Sequence, residues 1–210
     1  MKNFLLGVAV VAVFGFGSLS ALAQMGNGNG HGPNMNKLLC FSGTEDGEGY
    51  GGTCTMSGQG GNASAVLNTE GGDPQGEYAG VYTLTRSIYG RPLSSIAQLR
   101  FTYSGDPAGA GAPRFSVPID TDGDGDTDLW AFISAFYCSD ANGKVSATNT
   151  GCSIHTNTGA NYTSLDALLA AYPNGKIATD NYVFIVADEP GTWTIRKVSF
   201  GPKGNNSARN

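Results

Sequence analysis

The sequence predicts a mainly β protein: an antiparallel, jelly-roll-like β-sandwich that carries one short helix. Three observations lead there. Glycine is abundant, with 32 residues among 210, while charged residues make up only 14%; average usage is roughly 7% Gly and about 25% charge. Short apolar segments alternate with polar residues at the period of half-buried strands. Turn clusters then cut the chain at close intervals: Gly71-Gly72-Asp73-Pro74, Gly90-Arg91-Pro92, Gly105-Asp106-Pro107 and Pro190-Gly191. A closed barrel is the main alternative. With 12 Lys+Arg against 17 Asp+Glu, a nucleic-acid partner is not expected. The 10% aromatic and 40% hydrophobic content argues against a wholly disordered chain.

Residues 1–23 have the layout of a secretory signal peptide. Lys2 supplies the basic start, Leu5 to Phe16 the apolar core, and Ala21-Leu22-Ala23 a small-x-small cleavage site that leaves Gln24 first. A membrane anchor is the alternative. The apolar run is shorter than the ~20 residues a bilayer needs, and Gly and Ser interrupt it. No Cys follows the cleavage site and no second apolar run of spanning length occurs, so a secreted chain, extracellular or periplasmic, is expected. Residues 24–36 form a flexible Gly/Asn-rich leader, with His31 solvated inside it. A single domain over 37–200 and a disordered polar tail over 201–210 complete the layout. Loss of Lys2 leaves 11 basic and 17 acidic residues, a charge of −6.

Within the domain, strands are expected over 64–68 and 77–85. Leu99, Phe101 and Tyr103 alternate with Arg100 and Thr102, and Phe115, Val117 and Ile119 with Ser116 and Pro118. Residues 129–137 (LWAFISAFY) and Tyr182 to Ala187 are nearly all apolar, as in central strands. In 192–200, Trp193 and Ile195 share a phase that Val198 and Phe200 break. A β-bulge near Arg196-Lys197 would keep all four buried. The helix begins at Thr163-Ser164-Leu165-Asp166, an acidic capping box, and stops at Pro173 and Gly175. Leu165, Leu168, Leu169 and Tyr172 fall on one face, so it packs on a sheet.

The four cysteines are Cys40, Cys54, Cys138 and Cys152. Export permits disulfides. Both sequential pairs are 14 positions apart and enclose polar, turn-rich loops, which favours Cys40–Cys54 and Cys138–Cys152 among the three connectivities four cysteines allow. A zinc site is the rival; the chain has no C-x₂-C and only His31 and His155 as imidazoles.

The strongest motif is the run 120–128, with Asp120, Asp122, Asp124, Asp126 and Asp128 at every second position and Gly123 and Gly125 between them. Like charges this close repel by on the order of 1 kcal/mol per pair even in water, so a cation is favoured. Oxygen-only ligands suit Ca²⁺. The spacing resembles the calcium loops of EF-hand, dockerin and FG-GAP type proteins. That resemblance implies Asp120, Asp122 and Asp124 as the first three ligands, Gly125 as the turn glycine, Asp126 through its carbonyl, and Asp128 as the ninth-position ligand. The chain departs from the EF-hand at the twelfth position, where Ala131 replaces the bidentate Glu, and in its flanks, where Pro113 and Pro118 preclude a normal incoming helix. It is nearer the β-flanked D-x-D-x-D-G-x-x-D loop. A solvated acidic hairpin tip is the alternative.

No G-x-S-x-G, H-E-x-x-H or G-x-x-x-x-G-K motif occurs. His155 is expected to be a loop or strand-end residue. Asp188-Glu189, before Pro190-Gly191, is expected to be a turn; a partner of the calcium loop and half of a catalytic carboxylate pair are the other options. Among the aromatics, Trp130 and Trp193 are expected to fill the core. Tyr50, Tyr89 and Tyr162 lie beside Gly, Asn or Ser and are the candidate ligand contacts. In layout the chain resembles exported lectin-like and carbohydrate-binding-module-like β-sandwiches. That implies a calcium-stabilised, noncatalytic binding module for glycan or a cell-surface polymer. A surface-associated protein that binds another protein chain, and a small secreted hydrolase using Asp188 or Glu189, are the alternatives.

Overall fold

The computed structural model describes residues 38–44, 51–58, 63–69, 77–83, 87–109 and 111–201. The expected signal peptide, the leader with His31, Tyr50, and the tail beyond Gly201 lie outside the described residues. The strands are β1 (Leu38–Thr44), β2 (Thr53–Ser57), β3 (Ser64–Thr69), β4 (Glu77–Thr83), β5 (Leu99–Gly105), β6 (Arg114–Asp120) and β7 (Leu129–Ser134). After these come β8 (Lys144–Ser146), β9 (Ile154–Thr156), β10 (Asn161–Tyr162), β11 (Lys176–Ile177), β12 (Phe184–Ala187) and β13 (Gly191–Phe200). Two α-helices, α1 (Ala135–Cys138) and α2 (Leu165–Ala171), and a 3₁₀ turn at Leu93–Gln98 complete the described elements.

The strands form the expected two-sheet antiparallel sandwich. The larger sheet has the order β1-β4-β12-β6-β7-β9-β10, with β11 also paired to β6; the smaller has the order β2-β3-β13-β5-β8. The period-two pattern decides what faces inward. One row across the larger sheet runs Cys40, Val81, Ile185, Phe115, Ile133. The last four of these are fully buried. From the smaller sheet, Phe101 and Phe200 close on Phe115, with ring centroids 5.1 Å and 5.8 Å apart, both edge-to-face. Trp193 lies in the same core at 1% exposure, and its indole Nε1 donates to the Asp106 carbonyl at 3.1 Å.

Both disulfides are present as the spacing indicates. Cys40–Cys54 links β1 to β2, the edge strands of opposite sheets, with Cα atoms 5.5 Å apart. Cys138–Cys152 ties α1 to the segment before β9, with Cα atoms 4.2 Å apart. The expected bulge in β13 is also present: pairing to β5 shifts register between Arg196 and Ser199, and Lys197 takes φ 50°. Trp193, Ile195 and Phe200 are buried by it, while Val198 is only half-buried.

Four details differ from expectation. The 129–137 run is not one strand, because Ser134 ends β7 and caps α1, its hydroxyl accepting from the Phe136 N–H at 3.1 Å. The cap of α2 is Ser164 rather than Thr163, since Ser164 Oγ accepts from the Ala167 N–H at 3.1 Å. The 182–187 strand begins only at Phe184, because the Val183 N–H donates to the Tyr89 hydroxyl at 2.9 Å. Trp130 is not in the sandwich core. Its neighbours Leu129 and Ala131 point inward, so alternation turns Trp130 to the outer face of the larger sheet.

Candidate metal centre and aromatic face

The acidic run is the hairpin connection between β6 and β7. Ile119 pairs with Leu129, and the Asp128 N–H returns to the Ile119 carbonyl at 2.9 Å. Asp120, the last residue of β6, is 2% exposed. Its carboxylate accepts from the Gly123 N–H at 2.6 Å and the Gly125 N–H at 3.1 Å. Asp122 accepts from the Asp124 N–H and Asp124 from the Asp126 N–H, at 3.2 Å and 2.9 Å. These short loops need left-handed backbone at Gly123 (φ 96°) and Gly125 (φ 98°), which glycine adopts without steric cost. The loop is braced from outside. Thr179 donates twice to the Gly125 carbonyl, and Thr127 donates to Asp180 at 2.6 Å.

Asp120, Asp122 and Asp124 each place a carboxylate oxygen within 4.8 Å of the others. This cluster could hold a metal ion, and its all-oxygen donor set suits a hard cation. Repulsion from Asp124, then the other causes, burial and nearby Asp180, Asp120 and Asp122, raises the pKa of Asp126. Asp126 and Asp128 are not members of the cluster. Asp128 instead accepts from the Thr121 N–H and hydroxyl at 2.7 Å and 2.5 Å, which lowers its pKa. The ninth-position carboxylate therefore locks the hairpin base. Lys176, the register partner of Asp120, is the nearby cation of the loop's surroundings; its Nζ lies 3.8 Å from where a Cβ on Gly123 would sit.

The outer face of the larger sheet carries aromatic rings. One outward row crosses it as Leu39, Tyr82, Phe184, Ser116, Phe132, His155, Asn161. Phe41 lies 5.6 Å from Phe184 and 6.0 Å from Tyr82, and Trp130 lies 5.5 Å from Phe184. Tyr78 joins Phe41 at 6.1 Å. Two glycines make room: a Cβ on Gly80 would strike the Phe41 ring, and one on Gly43 would sit 2.6 Å from the Tyr78 hydroxyl oxygen. Phe41, Tyr78, Tyr82 and Phe184 are half-buried, and Tyr182, 5.2 Å from Tyr82, is 37% exposed.

The expected contact residues fall differently. Tyr89 is half-buried, accepts from the Val183 N–H through its hydroxyl, and extends the ring cluster at 6.3 Å from Tyr182. Tyr162 is elsewhere, half-buried and donating to the Tyr172 hydroxyl at 3.2 Å, which raises its pKa. Phe41 and Phe184 were not singled out by the sequence. Their signal is the alternation of Tyr78, Gly80 and Tyr82 against Ala79 and Val81, which puts ring, glycine, ring on one side.

Asp188 and Glu189 act on the segment before β6. Asp188 accepts from both terminal guanidinium nitrogens of Arg114, one at 2.6 Å. Glu189 accepts from the Gly111 N–H at 2.6 Å, and its carboxylate fills the space over Gly109. Beside them, Gly111, Arg114, Phe132, Ser134, Tyr137 and His155 line a cleft of about 210 Å³. His155, expected in a loop or at a strand end, lies on the three-residue strand β9, its ring 4.7 Å from that of Tyr137. No family model, curated protein or solved structure matches this chain.

Proposed function

We propose that the chain is an exported, calcium-stabilised, noncatalytic binding module, and that its ligand is a glycan or a related cell-surface polymer. The observation that carries this reading is the half-buried ring cluster of Phe41, Tyr78, Tyr82 and Phe184 on the outer face of one sheet. Aromatic faces offer flat apolar area with polar tips, and sugar rings present flat C–H faces that stack on them. A sheet holds such rings rigidly, so little side-chain entropy is lost on binding.

Calcium is supported by the oxygen-only cluster of Asp120, Asp122 and Asp124 and by the glycines that fold the loop around it. The ion stabilises the β6–β7 hairpin rather than touching the ligand. Export is supported by two disulfides, which persist in oxidising compartments. Among the described residues, no helix is long and apolar enough to cross a membrane. A protein partner is the second reading, favoured by Phe136, which is 58% exposed beyond the ring cluster.

A glycan array probed with the mature protein in Ca²⁺, together with calorimetry of Ca²⁺ alone, tests the proposal. Binding to at least one glycan class and a calcium isotherm in the range of extracellular modules, about 10⁻⁴ to 10⁻³ M, are expected. An array with no binding, or no heat with millimolar Ca²⁺, contradicts the corresponding half.

A further inference from the structure

We propose that the cleft beside His155 is a separate subsite that takes one neutral, polyhydroxylated ring, such as a single sugar unit. This deepens the glycan reading and rests on it. The cleft lies on the same outward face as the ring cluster. Phe132 and His155 belong to the row that begins at Leu39 and Tyr82, and Arg114 and Ser134 form the next outward pair. Its volume of about 210 Å³ suits one ring and not a chain of them.

Two buried polar atoms at this cleft have no hydrogen-bond partner: Arg114 Nε and His155 Nε2. A buried donor left unmade is costly, and such groups in a native protein call for an explanation. Most of the remaining Arg114 donors are committed. Its terminal nitrogens bind Asp188 and the Gly111 carbonyl, and its guanidinium carbon lies 5.0 Å from the Phe132 ring centroid. Among the described residues, Nε–H and the second Nη2–H are left without a partner, and of these Nε is the buried one. An imidazole nitrogen donates or accepts according to tautomer. Hydroxyl groups match both atoms, since one accepts from Arg114 Nε–H and another either donates to or accepts from His155 Nε2.

The charge balance selects against an anion. Asp188 already neutralises Arg114, and the Glu189 carboxylate lies within the same loop contact. The walls are Phe132 and the Tyr137 ring, which stacks on His155 at an interplanar angle of 31°. A guest with apolar ring faces and hydroxyl edges satisfies both the walls and the orphan nitrogens; water satisfies only the latter.

The test is an NMR titration of the full mature protein with a panel of methyl hexopyranosides, and with sodium acetate and methyl glucuronate as anionic members. Saturable shifts of the Tyr137 and His155 ring signals by a neutral glycoside are expected, with at least tenfold weaker binding in His155→Phe, which keeps an aromatic ring but no nitrogen. Shifts by the anions alone, or none at these rings from any member, overturn the proposal, and the wild-type titration decides this even if the variant does not fold. If an array glycan binds while the glycosides shift Tyr82 and Phe184 but not Tyr137 and His155, the subsite fails and the glycan reading stands. If neither array nor panel binds, both fail.

Discussion

Asp120 differs from the other loop carboxylates in being buried at the end of β6 while it accepts two loop N–H groups. It fixes the turn and completes the acidic cluster at once. Asp120→Asn is therefore expected to lose the thermal stabilisation by Ca²⁺. In the wild type at 100-fold excess over Kd this is worth ~2.7 kcal/mol, several degrees in Tm by differential scanning calorimetry. The spacing that made these aspartates legible could not tell which would converge. Asp128 has the ninth-position place, yet its Oδ2 accepts both Thr121 donors and the cluster of Asp120, Asp122 and Asp124 forms without it. Gly80 matters for space rather than for backbone freedom. Gly80→Ala must displace both the Phe41 ring and the Ile185 carbonyl of the neighbouring strand, and overpacking of this kind costs about 1–3 kcal/mol, readable as a lower urea midpoint. Asp140 gives a pH prediction. Backbone N–H groups of Lys144 and Asn142, at 3.0 Å and 2.8 Å, lower its pKa below 3.8. Its contribution is present above 3.8 and is lost as pH falls through the lowered value. Asp140→Asn keeps the acceptor but not the charge, so the variant's Tm is expected to fall less steeply in acid than the wild type's.

Strands β5, β6 and β13 were legible because each is long enough to show alternation, and in β13 the broken phase itself marked the bulge. Strands β8 to β11 have two or three residues each, too few to show a period. The β7–α1 boundary was hidden for another reason. LWAFISAFY is apolar on both sides of Ser134, and only the capping preference of that serine marks the change from strand to helix. The equal cysteine spacing was informative because each bridge closes a local loop. Replacing Cys138 and Cys152 together by Ala is expected to cost ~3 kcal/mol for a loop of this length. Denaturant unfolding without reductant checks the value. The 3₁₀ turn at Leu93–Gln98 escaped notice since Pro92 there reads as a breaker. It is held by pairing with the β11 segment, where the Leu93 N–H donates to the Gly175 carbonyl at 2.8 Å.

The sandwich as a whole followed from composition and period, but the strand order did not, and the aromatic face depends on that order. Phe41, Tyr82, Phe184 and Trp130 are far apart in sequence and meet only because β1, β4, β12, β6 and β7 are successive neighbours. Without that order, Trp130 reads as core and the ring cluster around Phe41 and Phe184 does not show. The outer layer also explains why so many large rings coexist with a core already filled by Phe101, Phe115, Trp193 and Phe200. Phe184 occupies the centre of this layer, touching both Phe41 and Trp130, and central aromatics dominate binding energy in most interfaces. The decisive measurement is the affinity of an array-selected glycan for wild type and for Phe184→Ala, by calorimetry in saturating Ca²⁺. Removal of that ring is expected to weaken binding by 2 kcal/mol or more, about thirtyfold, with the calcium isotherm unchanged; equal affinity in the two proteins would show that the aromatic face is not the binding surface.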